Sequence, residues 1–401
     1  MKSSKVGHNR NQKSLNRLSQ DFRDNGLTFS QRLHLDVPLL FGLILLSIIG
    51  LIVLYSASGQ DLQLIARQSI RLGVAFGIML TMAQITPHLF LYWTPWLYLL
   101  GIGFLLAVLT AGDIGGGAQR WLQLGVIRFQ PSEMLKILVP MMIAHYIADK
   151  TLPPRIIHIL GAVLLTLIPT ILVAWEPDLG TAFFILCAGG FVVLLAGIDW
   201  KLILSISALT TICAPLLWFF MHDYQRRRVL TFLNPEQDPF GAGYHIIQSK
   251  IAIGSGGLFG KGWLNGTQSQ LNFLPERSTD FIFAVLSEEF GLLGIIILLT
   301  LYLFVIFRGL YLALNTQELF GRLLGGSLIL TFFVHVFVNI GMVSGLLPVV
   351  GAPLPLLSYG GTSLVTLLAA FGILMSMHAH RRLLSDYNAL DSTRTRNSNV
   401  K

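Results

Sequence analysis

Charge is scarce in this chain, and the scarcity decides its class. Charged residues occupy 12% of 401 positions and hydrophobic residues 53%, about half the charge a soluble domain carries. A water-facing globule is excluded, because so much apolar surface needs lipid to cover it. Cysteine is nearly absent as well. Cys187 and Cys213 both fall in apolar stretches, which excludes a disulfide framework and a thiolate metal site and leaves two small buried side chains. Also missing are the short alternating segments of an outer-membrane barrel, repeats of soluble type and the ordered glycine-lysine loop of a nucleotide-binding site.

What is present is a series of separate apolar runs, each about 20 residues long. At about 1.5 Å per residue that length crosses roughly 30 Å of hydrocarbon. The runs predict an all-α polytopic membrane protein of about ten transmembrane helices, at 35–55, 65–85, 90–109, 132–148, 156–174, 179–197, 202–220, 279–306, 323–344 and 356–378. A large loop, 221–278, separates spans seven and eight. The formal charge of +8 is spread as basic clusters beside helix ends, a topology signal rather than a nucleic-acid one. Lys2, Lys5, Arg10, Lys13, Arg17, Arg23 and Arg32 precede the first span, and Lys150, Arg155, Lys201, Arg308, Arg322, Arg381 and Arg382 share their side if every run crosses. Both termini are therefore expected in the cytoplasm. Residues 1–31 are polar, without a small-residue cleavage site, and read as a disordered tail rather than a signal peptide. One membrane domain, 32–382, and a second cytoplasmic tail, 383–401, complete the expected organisation.

This topology puts 110–131, 175–178, 221–278 and 345–358 outside the cytoplasm, and these loops hold most of the functional residue types. Arg226, Arg227 and Arg228 follow span seven on the side where positive charge is normally depleted, and Lys250, Lys261 and Arg277 lie in the same loop. A basic cluster there suits an anionic ligand such as phosphate or pyrophosphate, or anionic lipid headgroups. Within the loop, 244–253 has the spacing of an interfacial helix, and the glycines at 254–262 suit either tight turns or a nest of backbone N–H groups. Glu133 and Lys136 share a helical face at the start of span four, as an ion pair or as part of an aqueous cleft. Asp113, Arg120 and Trp121 precede them. After Pro177 stops one helix, Asp178 is placed to cap the next or to face a ligand. Asp280 opens span eight, with Ser278 or Thr279 as cap and Asp280 in the first turn, where the helix dipole favours a carboxylate. Glu288 and Glu289 lie roughly 80° and 180° around that helix from it, so they are expected to find partners elsewhere. His335 and Asn339 share a face of span nine as hydrogen-bonding residues rather than metal ligands. The stretch 345–363 carries several prolines and glycines, so its backbone is broken, which is tolerable at membrane depth where it lines a cavity.

At these motifs the chain closely resembles the SEDS family of bacterial cell-wall polymerases, from the first span to Arg382. The likeness rests on Asn234-Pro-Glu, the run Gly243 to Gly257, Gly266-Thr-Gln-Ser-Gln270, Leu274-Pro-Glu-Arg277, Thr279-Asp-Phe-Ile-Phe283 and Leu357-Ser-Tyr-Gly-Gly361, in family order. Gly266-Thr-Gln and Leu347-Pro-Val-Val-Gly351 look like the elongation branch rather than the septal one. The resemblance implies a peptidoglycan glycosyltransferase of the bacterial inner membrane that polymerises lipid II into nascent glycan. Its implied partners are a class B penicillin-binding protein, the elongation transpeptidase, and other cell-elongation machinery, without nucleic acid. Asp280 falls on the position held to be catalytic, and Arg120, Glu133, Lys136 and Asp178 match polar positions of the family's cavity. Arg226, Arg227, Arg228, Lys250, Arg277, Ser358 and Tyr359 complete the expected substrate-binding set, with or without a divalent cation. Ser278 stands where His is expected, Glu176 where Gln is common and Thr362 where Ser is common. The rival readings are a lipid II flippase or transporter, and a scaffold for the synthase.

Overall fold

In the computed structural model, the described residues are 34–379, apart from 116–117, 125–126, most of 199–229, 236–241, 272 and 275. The seventh expected span, the tails, Cys213, Arg227 and Arg228 lie outside them. Every other expected span coincides with a helix: α1 Val37–Ala57, α2 Leu62–Gln84, α3 Pro87–Ala111, α4 Pro131–Ala148, α5 Ile156–Trp175 and α6 Leu179–Leu195. After the large loop's helices, α7 Ala242–Ser255 and the single turn α8 Thr267–Gln270, come α9 Ile282–Leu314, α10 Leu319–Val343 and α11 Thr362–Ala379. Among the described residues, 7 helices are long and apolar enough to cross a membrane, and α6 is a shorter apolar helix. The segment 110–131, read as a loop rich in functional residue types, forms three short antiparallel strands, β1 Asp113–Gly115, β2 Ala118–Leu124 and β3 Ile127–Phe129, in the order β1-β2-β3.

Helix starts follow their local chemistry. Asp36 accepts the Leu39 N–H at the head of α1, Asp61 accepts from Gln63 and Leu64 at the head of α2, and Pro87 and Pro131 occupy first-turn positions that need no donor. Asp36 also receives Arg308 through two bonds, Nε at 3.0 Å and Nη2 at 2.7 Å, which ties α1 to the far end of α9. That guanidinium lowers the Asp36 pKa against the opposing effect of burial.

Two apolar cores divide the molecule. One gathers α1, α9 and the 354–375 segment, and the other gathers α3 to α6. Helix α10 serves both, sending Phe332 and Val336 to the first and Leu324 and Leu328 to the second, and far more of its residues are buried than of α2. Exposed Leu292, Leu293, Ile296, Ile297 and Phe307 on α9 form the apolar surface that lipid would cover.

Among the glycines at 254–262, Gly256 and Gly260 allow close packing on α9, and the loop's N–H groups there do not form an anion nest. The Lys261 and Gly262 N–H groups donate at 3.0 Å to the Glu288 and Glu289 carbonyls, so they are committed to α9. Gly260 has φ +79°, and a Cβ there would lie 2.1 Å from the Glu289 carbonyl oxygen. Gly291, at the kink in α9, meets Gly260 from the other side. Gly260→Ala should therefore destabilise the protein by about 1–3 kcal/mol, read as a lower thermal midpoint in detergent. Gly254→Ala, which adds a methyl group to open space, should not lower it.

Candidate functional site

A cavity of about 270 Å³ lies between α4, α6, α10 and the chain from Gly351 into α11. One end is polar, lined by Arg120, Gln130, Glu133, Lys136, Asp178, Thr181 and His335, and the other is apolar, with Leu328, Phe332 and Phe371. The non-helical run from Gly351 to Ser358 forms one wall, as the glycines and prolines of that segment predict. The last span begins at Thr362 rather than 356, because Pro355 and Gly360-Gly361 keep the preceding chain out of a helix.

The residues at the polar end are held in two linked sets. Lys136 Nζ lies 2.7 Å from Glu133 Oε1 and 3.3 Å from His335 Nε2. An ammonium only donates, so His335 presents Nε2 as acceptor, while its Nδ1–H donates to the Thr331 carbonyl at 2.9 Å. The imidazole stacks on Phe184 with centroids 3.6 Å apart, which fixes the ring plane. Asp178 caps α6 by accepting the Thr181 N–H at 3.1 Å on Oδ1. Its Oδ2 accepts from Thr181 Oγ1 at 3.0 Å, Gln130 Nε2 at 3.2 Å and Arg120 Nη1 at 3.3 Å. The capping and cavity readings of Asp178 are both realised, by different oxygens.

Asp280 does not sit in the first turn of its helix. Residues 276–281 form a turn, the N-cap of α9 is Phe281, and no side chain caps it. Thr279 Oγ1 instead bonds Glu276, and the Thr279 and Phe281 N–H groups both donate to the Glu276 carbonyl. Asp280 is held from outside its own segment. Asn339 Nδ2 of α10 donates to the Asp280 carbonyl at 2.9 Å and to the Ala352 carbonyl at 2.6 Å. Ser358 Oγ donates to the Thr279 carbonyl, and the Tyr359 N–H donates to the Ser278 carbonyl at 2.8 Å. The carboxylate comes against Gly351 in the cavity wall, where a Cβ would lie 3.4 Å from Oδ2.

The structure thus brings Arg120, Glu133, Lys136, Asp178 and Ser358 to the cavity with Asp280 at its edge, and leaves the other expected residues elsewhere. Lys250 is exposed on α7 and lies across Gly345, and Arg277 Nη1 donates to the Ser269 carbonyl as a brace within the loop. Neither lines the cavity, nor does Arg226, nor Tyr359, whose ring lies under Arg71. Their charge or motif suggested ligand contact; Lys250, Arg277 and Tyr359 instead meet Gly345, the Ser269 carbonyl and Arg71. Glu288 meets Lys261 Nζ at 2.7 Å and Glu289 meets Ser56 of α1, so neither joins Asp280.

A family model for FtsW, RodA and SpoVE, described as cell cycle protein, matches residues 37–383. The chain belongs to the SEDS family. It is 55% identical over 362 residues to peptidoglycan glycosyltransferase MrdB of Escherichia coli, covering 90% of this chain and 98% of that one. Peptidoglycan glycosyltransferase RodA of Treponema pallidum is 33% identical, covering 86% and 98% respectively. Among solved structures, a peptidoglycan synthase complex described as coordinating polymerization and crosslinking aligns with a TM-score of 0.76 at 32% identity, over 86% of this chain and 98% of that one. The crystal structure of RodA from Thermus thermophilus aligns with a TM-score of 0.65 at 29% identity, over 86% and 96%.

In this SEDS chain the polar residues that sequence reading passed over are neutral, Gln130 and Thr181, which orient Asp178, while Asn339, expected as a hydrogen-bonding residue, binds backbone on both sides of the site. Gln130 directly precedes Pro131 and Thr181 follows Asp178 by three, so capping spacing was the available signal for both. Glu176, the departure from Gln, is 1% exposed, and neither carboxyl oxygen accepts a hydrogen bond from the described residues. Burial pushes its pKa up to about 8, the Asp178 charge adds to the rise and Arg120 opposes it. A carboxyl raised from 4.5 to about 8 keeps its proton in the folded protein where the unfolded chain has lost it. Its stabilising contribution is complete below pH 4.5 and disappears by about pH 8. Glu176→Gln should flatten the fall of thermal midpoint between those pH values, and an unchanged fall would show that Glu176 is not its source.

Proposed function

We infer that this SEDS protein is a peptidoglycan glycosyltransferase that polymerises lipid II into glycan strands during cell elongation, with Asp280 as general base. The observation that carries the assignment is helix α10, which holds the Lys136–Glu133 pair through His335 and the Asp280 backbone through Asn339. Four residues separate these contacts, roughly 6 Å along the helix axis. One helix thus braces both a basic group of the cavity and the turn that carries a carboxylate at its edge, which suits a reaction that removes a proton while expelling an anion.

Asp280 takes the proton from the acceptor sugar's 4-hydroxyl as that oxygen attacks the anomeric carbon of the pyrophosphate-bearing glycan. The new glycosidic bond forms as the carbon–phosphate oxygen bond breaks, and the lipid pyrophosphate departs with the bonding pair. Attack opposite an α-linked phosphate inverts the centre to a β-linkage without a covalent intermediate. Lys136 and Arg120 neutralise the accumulating phosphate charge, the anion competing with Glu133 and Asp178 for them. Those two carboxylates are already engaged, and no group of three or more His, Cys, Asp or Glu that could hold a metal ion occurs among the described residues. A divalent cation would add positive charge where the departing pyrophosphate accumulates negative charge, and no step above passes through it.

The spans lie in the bacterial inner membrane with both termini in the cytoplasm and the polar end of the cavity outward. A class B penicillin-binding protein crosslinks the emerging strand alongside. Support for that pairing comes from the synthase complex, whose description joins polymerization to crosslinking.

Asp280→Asn, purified with the partner transpeptidase and given labelled lipid II, should lose about 10²–10⁴ in polymerisation rate while folding normally. Equal glycan synthesis by both forms would end the assignment of the base, and lipid movement across vesicles without polymer would favour transport.

A further inference from the structure

A base that works by position has to be held in place, yet Asp280 lies in the 276–281 turn ahead of α9, where no helical ladder fixes it. Two of the bonds that hold this turn come from Ser358 and Tyr359. That strip is itself non-helical and ends in Gly360-Gly361, so its own position needs an outside anchor.

The anchor is a side chain of α2. Gln68 Nε2 donates to the Ser358 carbonyl at 3.3 Å, and its Oε1 accepts the Gly360 N–H at 3.4 Å. The amide thus spans the strip with a donor and an acceptor, on either side of Tyr359. One turn on, the Arg71 guanidinium lies 4.6 Å from the centroid of the Tyr359 ring. Helix α2 packs along a single seam of Gln68, Leu72, Ala75, Met79 and Ala83, while Ile70 and Val74 on its other side are exposed. Gln68 is the only polar member of that seam and is 2% exposed. A buried amide costs free energy unless both ends are bonded, and here both ends are used on the strip that carries the base.

The geometry points to Gln68, assisted by Arg71, as a positioning residue for Asp280, acting through Ser358, Tyr359 and Gly360. The inference rests on the reading of Asp280 as base and extends the site to a helix that contributes nothing to the cavity wall. Gln68 touches no reacting atom, so its loss should change the chemical step and not substrate capture.

Gln68→Leu removes both bonds at similar volume, and Gln68→Glu keeps the acceptor for Gly360 while losing the donor. In glycan synthesis from lipid II, Q68L should lower kcat about 10- to 100-fold with KM within about twofold, and Q68E should recover part of the loss. Amide exchange at Thr279 and Phe281 should quicken in Q68L, because the turn loses its anchor, and should stay at the wild-type rate in D280N. Wild-type kcat and exchange in Q68L overturn the inference, and so does either change without the other while D280N is inactive. If D280N still polymerises, the reading of the base fails separately, and exchange in Q68L alone then decides the link from α2. Should Q68L not fold, Q68E carries the same readouts.

Discussion

Backbone that leaves the helix at membrane depth has to find its hydrogen bonds in side chains, and in this protein that requirement organises the site. Between α10 and α11 the chain runs non-helically past Pro348, Pro353 and Pro355. Proline has no N–H, so the stretch is rich in carbonyls that need donors and poor in donors of its own. The donors arrive from the surrounding helices: Tyr302 of α9 to Pro355, Asn339 of α10 to Ala352, and Gln68 of α2 to Ser358. Asn339 also bonds the Asp280 carbonyl, and Ser358 and Tyr359 of the same stretch bond the turn ahead of it, so satisfying the backbone and placing the carboxylate are one arrangement.

Charge follows the same logic of local satisfaction. Glu133 with Lys136, Asp178 with Arg120, Glu288 with Lys261 and Asp36 with Arg308 each pair an acid with a base, and only the first two pairs face the cavity. A paired cation at a cavity wall is held without being consumed. On the proposed function, an incoming phosphate would compete with a carboxylate already in place rather than meet a bare cation. The pairs at Glu288 and Asp36 join the large loop to α9 and α9 to α1, so they act on the frame. Glu176, without such a base, keeps its proton instead.

Helix positions and the composition of the cavity were legible because both depend on local pattern. Apolar runs of spanning length marked the helices, Glu133 and Lys136 stood out as charges at a helix start that lipid would not tolerate unpaired, and Arg120 and Asp178 stood out through the family resemblance. Legibility failed where a residue's task depended on what came to meet it. Lys250 and Arg277 had the charge of a phosphate site but lie against Gly345 and the Ser269 carbonyl. The glycines at 254–262 suited either tight turns or an anion nest, and the pairing of the Lys261 and Gly262 N–H groups with α9 decides for turns. Gln68, neutral and on a helix outside the cavity wall, carried no signal of the site.

The sequence by itself determined the membrane class, the helical architecture and the broken wall segment. Composition and short motifs encode these without reference to distant neighbours. Only the tertiary structure decided that Asp280 stands outside its helix, which cations reach the cavity and which side chains hold the Asp280 turn. Those outcomes depend on bonds between residues as far apart in the chain as Gln68 and Ser358, and such a bond exists only once packing has brought the two ends within hydrogen-bond reach.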